Sequence, residues 1–136
     1  MFVELNKEKV LSISEATQIA PLTLAYIGDS IFDLYVRTKY ILGCSKNAGA
    51  LHVMSIKIVN AKSQAVFAHE VLEDFTQEER DVFMRGRNAK SSTTPKNMSI
   101  ADYKYATAIE AVVGYLYLTG QTARINDLLG RLEFDL

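Results

Sequence analysis

Apolar residues recur every three or four positions along most of this chain, and no alternating apolar–polar run extends beyond a few residues. That period belongs to helices, not strands. Ser14 is placed to cap a short helix over residues 15–20. Pro21 suits the first turn of a second helix, whose apolar positions Leu24, Ile27, Ile31, Leu34 and Tyr35 keep helical spacing until Gly43. Residues 48–60 and 61–74 read as a third and a fourth helix. Thr76 followed by Glu79 forms a capping box, so a fifth helix is expected to run to about Arg87. Ser99 with Asp102 caps a sixth, which carries Ala106, Ile109, Val113 and Leu116 toward Gly120, and a seventh covers about 123–132. The expected fold is an all-α bundle of about seven helices, one domain over residues 1–136. Its one long polar connection spans residues 88–98, the kind of loop that often carries function.

Composition adds boundaries. With 49% apolar and 23% charged residues the chain is neither disordered nor membrane-embedded, and no apolar run reaches the ~18 residues that span a bilayer. The N-terminal sequence lacks a secretory layout. Cys44 is the single cysteine and has no disulfide partner within the chain, which fits a reducing cytoplasm. His52 and His69 form no zinc spacing. The net charge of −1 is unevenly spread: residues 84–104 hold Arg85, Arg87, Lys90, Lys96 and Lys104 against Asp102 alone. A basic segment on an otherwise acidic body marks either a polyanion contact or a solvated loop.

Two acids stand apart from the other charges. Asp29 follows Gly28 inside an apolar stretch of the second helix, and Glu110 lies among apolar neighbours in the sixth. An acid in buried surroundings costs several kcal/mol unless it is paired, hydrogen-bonded or bound to a cation. Either each acid has its own Arg or Lys, or the two converge on one hard cation such as magnesium. Asp33, one turn beyond Asp29, is positioned either to support such a site or to pair with Arg37. Thr107, one turn before Glu110, either holds a water of the site or bonds back to its own helix.

These residues resemble a known family. Ile27-Gly28-Asp29-Ser30-Ile31 resembles the signature helix of the ribonuclease III family, and Glu110-Ala111-Val112-Val113-Gly114 resembles its Glu-Ala-Leu-Ile-Gly element. Leu51-His52, the run from Val59 to Ala65, and Arg85-Gly86-Arg87-Asn88-Ala89-Lys90-Ser91 with Thr94-Pro95-Lys96-Asn97 are similar to the Mini-ribonuclease III branch, over about residues 20–130. The short chain without an attached double-stranded RNA-binding domain fits that branch. The resemblance implies an all-α homodimer that cleaves double-stranded RNA with magnesium (or manganese in its place), in maturation of large-subunit (23S) ribosomal RNA, with a ribosomal protein as a candidate helper.

By position it makes Asp29 and Glu110 the catalytic, metal-holding acids. It lays the loop bearing Arg85, Arg87, Asn88, Lys90 and Lys96 along the RNA. Two further acids of full-length relatives are replaced here by Ala25 and Thr107, and Ala48-Gly49 stands where relatives tend to have Pro-Asn. Phe32, Tyr35 and Val36 are candidates for the dimer seam, or else for the core of one subunit. The thinned acid set also admits a non-catalytic RNA-binding or ribosome-assembly protein on the same scaffold.

Overall fold

The helix-end signals of the sequence become helix ends in the structure, a computed structural model that describes residues 9–90 and 98–136. Among the described residues there are seven α-helices and no strand: α1 (Ile13–Thr17), α2 (Pro21–Gly43), α3 (Ala48–Val59), α4 (Ala61–Val71), α5 (Gln77–Asn88), α6 (Ile100–Leu118) and α7 (Thr122–Leu129). A 3-10 turn, Leu72–Asp74, extends α4 to the end expected for it. Thr76 and Glu79 make the anticipated reciprocal cap of α5. The Ser99 hydroxyl accepts from the Asp102 N–H at 3.3 Å to open α6.

At the other end of α6, Gly120 adopts φ 73°. The Gln121 and Gly120 N–H groups return to the Leu116 and Tyr117 carbonyls at 2.8 and 3.1 Å, a Schellman stop. α1 departs from expectation. Its cap is Ser12, which exchanges hydrogen bonds with Glu15 at 3.1 Å in both directions, and the helix ends at Thr17, not at residue 20. The pyrrolidine of Pro21 disfavours helical backbone at Ala20, which is extended at ψ 139°.

α6 is the central post. Ala106 through Ile109 and Ala111 through Leu116 are all buried on it, so this helix is enclosed on nearly every side. α2, α4, α5 and α7 pack around it, and Phe32 of α2 meets Phe67 of α4 edge to face with centroids 5.9 Å apart. Phe32, Tyr35 and Val36 are 0, 6 and 0% exposed. They belong to the core of the subunit, which removes them as seam candidates. No helix among the described residues is long and apolar enough to cross a membrane.

Far from the middle of α6, the bundle closes with a buried ion pair. Glu79, 2% exposed, receives two hydrogen bonds from Arg124, at 2.8 Å from Nε and 2.9 Å from Nη2. Arg124 also reaches the Asp74 carbonyl and the Asp127 carboxylate. These partners favour its charged form and raise the proton affinity of the guanidinium.

The decisive packing event is the crossing of α2 on α6. A Cβ at Gly28 would sit 1.7 Å from the Glu110 carbonyl oxygen, and one at Gly114 would sit 2.0 Å from that of Leu24. Backbone therefore lies directly on backbone at two points one turn apart. On an exposed helix Gly→Ala would gain about 1 kcal/mol of helix propensity; here it would force the helices apart. Gly28→Ala is expected to lower unfolding free energy by about 3 kcal/mol or more, measured by urea denaturation.

Candidate active site

The glycine crossing places the two isolated acids together. Asp29 is the next residue after Gly28, and Glu110 supplies the carbonyl that Gly28 rests against. Their carboxyl groups come within hydrogen-bonding reach of each other. The expectation of a buried Asp29 needs correction: its side chain is exposed, while Glu110 is the more enclosed, partly buried partner. Asp29 lies on the outer turn of α2, next to the exposed Ser30, and Glu110 projects from the enclosed α6. The site is open on one side and walled on the other.

A third helix closes the wall. Gln64 of α4 is 3% exposed, and its Nε2 donates to Glu110 Oε2 at 3.3 Å. The sequence reading gave Gln64 no role, yet its spacing held a signal. Positions 64, 68 and 71 share the apolar face of α4, and Gln64 is the polar member of that row.

The electrostatics follow from this geometry. Burial first, and then the facing Asp29 carboxyl, push the Glu110 carboxyl up to about 9 from an ordinary 4.5; the Gln64 amide pulls the other way. A carboxyl hemmed in by a second carboxyl and little water holds a proton in place of a countercharge.

Of the supporting residues, Asp33 is bound to Arg37, Oδ2 to Nε 3.0 Å, in a half-exposed pair one turn apart. That contact fulfils the pairing alternative. Thr107 is buried, 8% exposed, one turn before Glu110. No hydrogen bond of its hydroxyl is found among the described residues, so the back-bond alternative is not realised there, whereas Thr38 and Thr119 do bond back to Leu34 and Tyr115.

The basic residues divide. The Arg85 guanidinium is half-buried and donates from Nη2 to the Ile19 carbonyl at 3.3 Å, beside a cavity that also exposes Glu78 and Asp81. Arg87, two residues on and on another side of α5, holds the Asn88 side chain at 3.2 and 3.3 Å. Lys90 is exposed just past the helix end. Lys96 lies outside the described residues, as do Ser91, Thr93, Thr94 and Asn97.

The donors fit a hard divalent cation: two facing carboxylates, one open to solvent, with mutual repulsion that a cation would relieve. Among the described residues no third Asp, Glu, His or Cys joins them, so water and a phosphate ligand would complete the shell, as magnesium tolerates.

A helical bundle in which a Gly-Asp helix crosses a Glu-x-x-x-Gly helix defines a ribonuclease III domain, and the model of that domain matches residues 22–121. The chain belongs to the ribonuclease III family. Within it, the chain is 43% identical over 125 residues to the Mini-ribonuclease 3 of Thermoanaerobacter sp. (strain X514), covering 92% of this chain and 84% of that protein. It is 47% identical over 114 residues to the Mini-ribonuclease 3 of Staphylococcus aureus (strain NCTC 8325 / PS 47), covering 82% and 85%. A crystal structure of a Fusobacterium nucleatum protein shares the fold with a TM-score of 0.75 at 32% identity, over 82% of this chain and 88% of that one.

The raised Glu110 carboxyl gives the metal-free protein a distinctive pH response. Below about pH 4.5 the group is protonated in folded and unfolded chains alike, at no cost. As pH climbs from there toward about 9, the unfolded chain ionises while the folded one keeps its proton, so the folded state loses stability across that window. Glu110→Gln removes the loss. Urea denaturation in EDTA should show this variant more stable than the parent by several kcal/mol at pH 8–9, with the gap closing near pH 5.

Proposed function

We propose that this ribonuclease III-family endoribonuclease hydrolyses double-stranded RNA with magnesium, acting as one catalytic domain and as a homodimer in the bacterial cytoplasm. Its substrate class is a base-paired stem of precursor large-subunit ribosomal RNA, the processing role that the Mini-ribonuclease III resemblance implies. The observation that carries the reading is the convergence of Asp29 and Glu110 at the glycine crossing. Neither acid has an arginine or lysine partner among the described residues.

Asp29 and Glu110 are the residues that would hold the cation. When bound, it supplies charge neutralisation at the phosphate and activation of the attacking water. Glu110, whose carboxyl burial and Asp29 push up, would have to give up its proton to hold a cation, which favours loading as pH rises. Gly28 and Gly114 keep α2 and α6 in contact, so the carboxylates do not drift apart as charge develops. The apolar floor of α6 shields their field from bulk water.

The duplex is gripped by its backbone, because A-form RNA hides its base edges in a deep major groove. Arg87, Asn88, Lys90 and Lys96 supply that grip. Arg85, tied to Ile19, serves the fold. A two-fold dimer presents two sites to the two strands. On α2 the exposed apolar side chains that could form a seam include Leu22 and Tyr26, 39 and 79% exposed and one turn apart, and further along Leu34, Ile41 and Leu42.

Asp29→Asn keeps shape and removes charge. Cleavage of a long RNA duplex in magnesium should fall by about 10³-fold while the fold and duplex binding in a gel shift persist; a folded variant that cuts at near-parental rate would sink the assignment. The grip has its own signature. Duplex affinity should drop steeply, about 10³-fold between 50 and 200 mM salt. Lys90→Ala should lower the log–log salt slope by about one per subunit, whereas Arg85→Ala leaves that slope unchanged.

A further inference from the structure

Four polar side chains are buried in the described bundle: Ser55, Gln64, Glu79 and Thr107. Glu79 is accounted for by Arg124. Gln64 has a different partner and a different logic. It stands on the face of α4 whose other buried members, Ala65, Phe67, Ala68 and Val71, are apolar. An amide in such a row costs about 1–3 kcal/mol relative to an apolar side chain unless it is hydrogen-bonded. The bond it makes is to Glu110 Oε2.

The local structure aims it there. Asn60 caps α4 by accepting from the Ser63 N–H at 2.9 Å, while its own amide donates to the Ile56 and Lys57 carbonyls that end α3. The Ser63 hydroxyl adds a bond to Lys57 at 2.7 Å. One turn beyond Gln64, Phe67 is locked edge to face on Phe32, itself one turn beyond Asp29. The helix carrying the amide is thus fixed at its start by α3 and along its length by α2, and Gln64 reaches α6 from a rigid base.

We infer that Gln64 is a positioning residue for cation binding: its N–H holds one oxygen of the Glu110 carboxylate and leaves the other turned toward the Asp29 side. The choice of amide is chemically pointed. Arginine or lysine at this position would neutralise Glu110 and compete with a cation for it. A carboxylate would add repulsion, and an apolar side chain would leave the Glu110 torsions unrestrained. A neutral donor fixes direction and keeps the full negative charge available.

This inference rests on the magnesium-site reading, and the experiment separates the two. Mn2+ binding to the full chain without RNA is measured by electron paramagnetic resonance and calorimetry for the parent, Glu110→Gln and Gln64→Met. Urea unfolding is followed in parallel. Gln64→Met keeps length and packing and loses the donor. Its Mn2+ dissociation constant should rise about tenfold with no fall in unfolding midpoint, and in cleavage assays the magnesium requirement should rise while the rate at saturating magnesium recovers.

If Gln64→Met does not fold, Gln64→Asn, whose amide is one methylene too short to reach Oε2, should show the same weakening. Parent-like Mn2+ affinity in the folded Gln64 variant, with binding lost in Glu110→Gln, overturns the positioning role and makes Gln64 a packing residue. Parent-like affinity in Glu110→Gln overturns the metal-site reading itself and this inference with it.

Discussion

The backbone contact of α2 with α6 is the constraint on which the remainder depends. Two helices approach this closely only where both lack side chains at the contact, and Gly28 and Gly114 provide the two gaps. One contact follows from the other, because each glycine meets a carbonyl on the opposite helix. The acids are placed by the same event: Asp29 is covalently next to one contact, and the Glu110 carbonyl is the other side of it. Site and core share one piece of geometry, so disturbing the crossing disturbs both.

Two glutamates in one small bundle, Glu79 buried and Glu110 partly so, show how environment decides use. Glu79 meets a guanidinium that satisfies both of its oxygens, and its charge is consumed in joining α5 to α7 and to the turn before α5. Glu110 meets a second carboxyl and an amide, neither of which neutralises it. The first arrangement is an ion pair whose disruption would leave a charge stranded. The second leaves two facing carboxyls without a countercharge at an opening to solvent, Glu110 keeping a proton in its place, which is the electrostatic preparation a cation site requires.

Much of this was legible because the local signals were strong and agreed with one another. Pro21 at the first turn, the Thr76–Glu79 box, the Ser99 cap and Gly120 past the last turn each act through nearest-neighbour chemistry, so they survive folding unchanged. Ser12 and Ser14 both offer a cap at the start of α1, but only Ser12 has a glutamate three residues on to complete the box, and Ser14 falls inside the helix. The meeting of Asp29 and Glu110 is a tertiary fact that no spacing along the chain encodes; the flanking glycines hinted at it, and family resemblance supplied the pairing. Burial was harder to read. Asp29 looked enclosed because its neighbours are apolar, yet helical rotation turns it outward. Phe32, Tyr35 and Val36 turn in by the same rotation. Arg85 and Arg87 read as one basic patch in sequence and are parted for that reason too.

Ala25 and Thr107, where the resemblance would put two further acids, fit this balance. Each added carboxylate beside Asp29 and Glu110 would deepen the repulsion that already drives a proton onto Glu110. Ala25 and Thr107 are both buried, 7 and 8% exposed, where a further charge would be still more costly. A two-acid site asks less of the metal-free fold. Its weakness is orientation, since fewer ligands restrain the cation and each one's direction matters more. Gln64 addresses that weakness: reaching from a helix pinned at its cap and along its length, it restores by geometry what the missing carboxylates would have supplied by charge.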